Sequence, residues 1–284
     1  MSRKKVTILD IQKRKQNKVP ITMLTTYDFT AAVLVDQADI DIILVGDSLG
    51  MVMLGYSGTT QVTMDEMLHH CKAVARGASQ ALLVGDMPFM SYQADVAEGV
   101  RNAGRFLKEA GMECVKIEGG RETAATIRAI VQAGIPVMGH IGLTPQTVSQ
   151  LGGFRIQGKT AASAQSLLED ALALQEAGCF SIVLEAIPAR VAGYISQQLT
   201  IPTIGIGAGV GCDGQVLVYH DMLGLYDRLQ PRFVKQYGAI GKAIVTAVQT
   251  YSEEVRSRQF PAEEHTYPMN ETEEAAFLAA VAGR

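Results

Sequence analysis

Residues 95–120 read DVAEGVRNAGRFLKEAGMECVKIEGG, and the fold turns on this stretch. The part from Asp95 to Ala110 has helical composition and stops at Gly111, the glycine expected just past a helix C-terminus. The chain then runs into the apolar segment Cys114-Val115-Lys116-Ile117-Glu118 and breaks at Gly119-Gly120. That segment lacks strict polar–apolar alternation, which suits a strand of a parallel sheet buried on both faces.

The same passage from helix through Ala-Gly to strand recurs at Gly134 and Gly178. Working outward, strands are expected at 21–26, 42–47, 82–86, 114–118, 136–140, 181–185, 202–207 and 215–219. Helices are expected at 64–78, 95–110, 122–133 and 161–177, with a long final helix near 234–256 closing the set. Roughly eight strand–helix units in one chain point to a (β/α)8 TIM barrel, with an open doubly wound sheet as the alternative. Residues 1–20 read as an N-terminal helix capping the barrel and 21–256 as the catalytic barrel. Residues 257–284 read as a charged tail (Glu263, Glu264, Glu271, Glu273, Glu274) ending in an apolar patch at 275–282, either docked or partly disordered.

Composition agrees with one large α/β domain: 284 residues, 48 % hydrophobic, 28 glycines and no tryptophan. A net charge of −4 offers no electrostatic footprint for nucleic acid. The basic cluster Arg3, Lys4, Lys5, Lys13, Arg14, Lys15 and Lys18 reads as a solvated helix face, with a partner or anion contact as the alternative. Cys71, Cys114, Cys179 and Cys212 lie far apart without a Cys-x-x-Cys pair, which argues for a reducing compartment and against structural zinc. No early apolar run resembles a signal peptide and no stretch is long enough for a membrane span, so a soluble, cytoplasmic protein is expected.

Catalytic side chains of such barrels project from the C-terminal ends of different strands. Here those ends read Val45-Gly46-Asp47-Ser48, Val84-Gly85-Asp86, Lys116-Ile117-Glu118, Met138-Gly139-His140 and Val183-Leu184-Glu185. One strand-end acid is ordinarily the cap of a following turn. Ionisable groups closing five strands in a row point instead to a shared polar site. Oxygen ligands without thiolates favour a hard cation such as Mg2+, and such a Lewis acid can stabilise the enolate formed beside a carbonyl. Lys116 and Glu118 stand at i and i+2 and so share a strand face. Lys116 could pair with a substrate carboxylate or a developing oxyanion, or could simply form a salt bridge within the acidic cluster. Glu185, set apart from the aspartates, is the natural general base. For His140 the roles of base, oxyanion donor and orienting group all stay open.

Three further features invite a functional reading. Residues 153–160, GFRIQGKT, match the P-loop pattern letter for letter, but the motif needs a strand directly before it and 143–151 reads as a polar loop. An active-site loop or lid is preferred. The glycines of 205–211 follow the seventh strand, where a tight turn or close approach to a co-substrate fits better than a Rossmann motif. His69-His70 lies in a helical segment and reads as surface or packing.

Taken in order, several stretches closely resemble the ketopantoate (3-methyl-2-oxobutanoate) hydroxymethyltransferase family, a (β/α)8 barrel of the phosphoenolpyruvate/pyruvate-binding type. They are Met23-Leu24-Thr25-Thr26-Tyr27-Asp28, Val45 through Gly50, Gly85 through Phe89, Val115 through Gly120, Gly139 through Gln146, Leu184 through Pro188 and Ile204 through Gly209. The resemblance implies transfer of a hydroxymethyl group from 5,10-methylenetetrahydrofolate to 3-methyl-2-oxobutanoate, giving 2-dehydropantoate in pantothenate biosynthesis. It further implies Mg2+ on Asp47, Asp86 and Glu118, and an oxo acid held by Asp47, Ser48, Asp86, Lys116 and His140. Glu185 would be the proton acceptor, and the assembly a homo-oligomer, a decamer by the same resemblance. Three rival readings are a lyase or mutase of the phosphoenolpyruvate/isocitrate-lyase type, a Schiff-base aldolase using Lys116, and a scaffold barrel with a dead site.

Overall fold

Eight parallel strands close on themselves in chain order in the computed structural model, which describes residues 4–228 and 231–283. They are β1 (Ile21–Thr25), β2 (Ile42–Val45), β3 (Leu82–Asp86), β4 (Cys114–Glu118), β5 (Val137–Gly142), β6 (Ser181–Glu185), β7 (Thr203–Ile206) and β8 (Gly214–Leu217). Helix α1 (Ile8–Gln16) precedes the barrel, and α2 (Phe29–Gln37), α3 (Leu49–Val52) and α4 (Met64–Gly77) lie between β1 and β3. Then follow α5 (Val96–Ala110), α6 (Ala124–Gln132), α7 (Val148–Leu151), α8 (Ala161–Ala177) and α9 (Ala189–Gln198). After the last strand come α10 (Tyr219–Met222), α11 (Ile240–Arg256) and α12 (Glu271–Val281). The open-sheet alternative is excluded by the pairing of β1 with β8.

Side chains of each strand alternate between two apolar clusters, as the period of two requires. Ile21, Met23, Ile42, Leu44, Leu82, Val84, Cys114, Met138, Val183 and Ile204 form the inner cluster. Ile43, Val45, Leu83, Val115, Ile117, Ile141, Ile182 and Leu184 face outward and pack with the helices. On β3, β4, β5 and β6 the inward series runs from apolar residues into an ionisable one: Val84 to Asp86, Cys114 to Lys116 and Glu118, Met138 to His140, Val183 to Glu185. The core and the polar site are successive layers of one barrel interior. Register completes the arrangement, because Asp86 lies beside Lys116 and Glu118 beside His140 on adjacent strands.

The N-terminal segment is tied to the opposite mouth. Thr7 caps α1 in a reciprocal box with Asp10, and Ile11 is buried in the inner cluster. Lys5 reaches the Ala81 carbonyl and Glu113, Arg14 reaches Asp41, and Lys15 reaches Asp213 and the Ser196 carbonyl. Residues 41, 81, 113 and 213 each stand at the entry to a strand. The basic cluster is therefore no uniformly solvated face, since these three cations are partnered; Arg3 lies outside the described residues.

Two expectations about connections need correcting. The link from Ile206 to Gly214 is a short loop without a helix, so the helical ring is incomplete there. The long helix expected near 234–256 exists as α11 but starts at Ile240 and has no buried residue, so it does not close the barrel, and α12 follows it. Among the described residues, no helix is long and apolar enough to cross a membrane.

Candidate active site

Asp47 follows β2 at a tight turn, Asp86 ends β3, Glu118 ends β4, and all three are buried. One carboxylate oxygen from each lies within 4.8 Å of the others. Neither aspartate caps a turn of its own. Asp86 Oδ2 accepts the Asp47 backbone N–H at 3.2 Å, and Asp47 Oδ2 accepts from the Gln146 amide at 2.9 Å. Lys116 Nζ sits 2.6 Å from Asp86 Oδ1 and 3.5 Å from Glu118 Oε1. The pairing is good in distance and imperfect in hydrogen-bond alignment, because Asp86 Oδ1 lacks a well-directed donor.

His140 joins this cluster to the base. Its Nδ1 lies 3.3 Å from Glu118 Oε1 and its Nε2 lies 3.2 Å from Glu185 Oε2. All four carboxylates line the cavity, and the Glu185 side chain is the more open to it, 16 % exposed against 2 % for Glu118. Ser48 precedes α3 without capping it, and its Oγ instead shares a hydrogen bond with the Tyr27 hydroxyl at 2.8 Å.

Electrostatics follow from burial and sign. Burial, with Asp86 and Glu118 nearby, pushes Asp47 well above the usual carboxylate range. Burial also raises Asp86, although Lys116 partly offsets it. Burial opposes the charge on Glu118 too, but Lys116 and His140 outweigh it and hold this group below its ordinary value. Desolvation and the Lys116 charge resist protonation of His140, yet Glu118 and Glu185 prevail and raise it to about 9. Lys116 is desolvated, yet its carboxylate neighbours raise it above an ordinary lysine. A lysine held charged among carboxylates counts against the Schiff-base reading, which needs a neutral amine.

The donor set fits a divalent cation. Three buried carboxylates face one lysine and one histidine, all the offered ligand atoms are oxygens, and oxygen clusters of this kind suit Mg2+. A cation there would relieve the repulsion that raises Asp47 and Asp86.

A cavity of about 710 Å3 opens over these groups. Phe154, Arg155 and Ile156 of the P-loop-like stretch line it, but what precedes that stretch is helix α7, so the nucleotide-binding context is missing. Thr160 of the stretch caps α8 through Ser163. The glycine run makes a tight turn: Gly207 and Gly209 have φ of +62° and +82°, and a Cβ on Gly209 would strike Ala189 of α9. His69 is exposed, and His70 Nδ1 bonds the Tyr27 carbonyl at 2.6 Å, so the pair stays apart from the site.

The structure thus brings together Asp47, Ser48, Asp86, Lys116, Glu118, His140 and Glu185. Sequence reasoning missed the parts played by Tyr27, Tyr92, Gln146 and Asp221. The first and third lie inside the resembling stretches, while Asp221 carries no motif signal at all.

Fold and site together define an enzyme of the parallel (β/α)8-barrel class, built around a buried carboxylate cluster at the strand ends. Among solved structures, phosphonopyruvate hydrolase superposes with a TM-score of 0.61 at 13 % identity, covering 98 % of this chain and 99 % of that one. 2,3-Dimethylmalate lyase, a PEP mutase/isocitrate lyase superfamily member, gives 0.59 at 14 % identity over 97 % and 98 %. These likenesses bear on the fold alone. The family profile of ketopantoate hydroxymethyltransferase matches residues 5–263. The 3-methyl-2-oxobutanoate hydroxymethyltransferase of Heliobacterium modesticaldum is 57 % identical over 268 residues, covering 94 % of this chain and 97 % of its own. The chain belongs to the ketopantoate hydroxymethyltransferase family.

Proposed function

We propose that this enzyme moves a hydroxymethyl group from 5,10-methylenetetrahydrofolate to 3-methyl-2-oxobutanoate, giving 2-dehydropantoate for pantothenate biosynthesis. The observation that carries the reading is the continuous chain of contacts from the carboxylate cluster through His140 to Glu185, in a chain of this family. Asp47, Asp86 and Glu118 would hold Mg2+. Bound there, the cation supplies Lewis acidity toward the oxo and carboxylate oxygens of the substrate, lowering the cost of losing the neighbouring proton.

The protein's own groups divide the remaining tasks. Ser48 Oγ and Lys116 Nζ, with Asp47, Asp86 and His140 around them, orient the oxo acid. Glu185 takes the proton from C3, a role supported by its position at the edge of the cluster, and such base catalysis typically contributes ~10²–10⁴-fold. His140 Nε2, 3.2 Å from Glu185 Oε2, faces the base from the buried side. Overall one water is consumed: its hydroxyl joins the transferred carbon, and the C3 proton and the remaining water proton end on the two folate nitrogens. The cavity volume, far more than a five-carbon acid fills, supports a second and larger ligand above the cluster.

The barrel, expected at 21–256, carries this chemistry without α11, which joins 1–20 and 257–284 as an appendage. A cytoplasmic location fits the four free thiols. A homo-oligomer, a decamer by family resemblance, fits the uncovered apolar side of α11.

Proton NMR of 3-methyl-2-oxobutanoate in D2O tests the reading. The C3 proton signal should disappear with protein and Mg2+ in the absence of folate, and methylenetetrahydrofolate should then yield 2-dehydropantoate. Glu185→Gln should abolish the exchange while Mg2+-dependent binding of the oxo acid persists. Full exchange in that variant would remove Glu185 as the base, and turnover of an oxo acid without any folate would favour the lyase or mutase reading.

A further inference from the structure

Gln146 touches more of the carboxylate cluster than any role assigned above accounts for. It sits in the short 3-10 turn Pro145–Thr147 just after β5, and it is buried. Its backbone N–H donates to Glu118 Oε2 at 3.1 Å. Its side-chain Nε2 donates to Asp47 Oδ2 and to the Met87 carbonyl, both at 2.9 Å. Its Oε1 accepts from Gln93 Nε2 at 3.2 Å and faces the Tyr92 hydroxyl at 2.9 Å. Tyr92 in turn accepts the Glu118 N–H at 3.2 Å and lies 2.9 Å from the Glu118 carbonyl.

These contacts fix which way the amide points. Reversing it would set oxygen against Asp47 Oδ2 and the Met87 carbonyl, two acceptors with no proton between them. In the observed sense both amide protons and the amide oxygen find partners. One residue therefore grips carboxylates from β2 and β4, on either side of Asp86 on β3, and takes one oxygen of each. A carboxylate whose second oxygen is held cannot rotate, so its first oxygen is presented at a set place.

We infer that Gln146 is a positioning residue for the divalent-cation site: it pre-sets Asp47 and Glu118 to the spacing the ion needs, and Tyr92 and Gln93 brace it in turn. The inference rests on the metal reading of the cluster. A neutral amide is required at this place. A glutamate would add a fourth buried carboxylate and lose the donor to Asp47, and an apolar side chain would leave Asp47 Oδ2 without its partner.

The test is direct binding of Mn2+ to the purified, metal-stripped full chain, followed by EPR of free Mn2+ without substrates, alongside thermal unfolding without metal. Gln146→Met and Gln146→Glu should each weaken Mn2+ binding by about 10–100-fold, the usual loss when an outer hydrogen-bond partner of a ligand is removed. Tyr92→Phe, which leaves Gln146 in place and takes away one brace, should weaken it less and in the same direction; it keeps the test open should the Gln146 variants fail to fold. Unchanged Mn2+ affinity in folded variants, whatever the unfolding temperature does, would overturn the inference and leave Gln146 as packing. Failure of the wild type itself to bind Mn2+ would overturn the metal reading and this inference with it.

Discussion

Asp221 illustrates how environment assigns a residue its chemistry. It lines the cavity from helix α10, and partial burial raises its carboxyl to about 6. An acid whose folded pKa exceeds its unfolded value binds more protons folded than unfolded, so stability falls as pH rises across that window. The contribution is neutral below the ordinary carboxylate range and unfavourable above about 6. Asp221→Asn should therefore melt with the wild type near pH 3.5 and above it at pH 7.5, as followed by circular dichroism at both pH values. Equal melting temperatures at pH 7.5 would mean that solvent relieves this carboxylate in full. Asp47 and Asp86 make the complementary point. Either could have been a turn cap by sequence; each is recruited instead by a group far along the chain, Gln146 for one and Lys116 for the other.

At the scale of the element, the strand ends were legible because alternation, apolar runs and Ala-Gly stops are local signals. β3, β4 and β6 match their expected bounds, and α5 starts one residue late only because Asp95 serves as its N-cap. Helices α2 and α9 were not anticipated. α2 is apolar nearly throughout and offers no polar stripe to read, while α9 is interrupted in sequence by Gly193, and only the fold shows Gly211 packed so close that a Cβ on it would lie 2.9 Å from the Gly193 Cα. A glycine at the end of β5 shows how closely the elements fit. Gly142 has φ of +101°, and a Cβ there would strike the backbone carbonyl of Glu185. The neighbour is backbone and cannot swing away, so Gly142→Ala combines a left-handed alanine with overpacking and should cost roughly 2–4 kcal/mol. Urea titration would measure that loss, and C3 exchange should fall further than stability alone explains because the displaced strand carries the base. Full exchange in folded variant would show that β6 tolerates the shift.

For the whole molecule, α11 is the element whose purpose its own barrel does not supply. Ile244, Val248, Tyr251 and Val255 recur at helical spacing and remain 50 %, 60 %, 56 % and 43 % exposed. A stripe of that size is expected to be covered by a second copy of the chain. Light scattering should find a homo-oligomer, and Val248→Asp should shift it to a smaller species; a monomeric wild type would defeat the oligomer proposal. The sequence alone determined the strand count, the ionisable residue closing each of five strands, the family, and through it the reaction, because these are carried by residue type and short spacing. Only the tertiary structure decided which of those groups touch, that Gln146 bridges two of the carboxylates, that Asp221 faces the same cavity, and that α11 buries no residue against its own barrel. Barrel closure and strand register bring residues separated by as many as 198 positions within hydrogen-bond reach, and no local pattern of side chains encodes a distance of that kind.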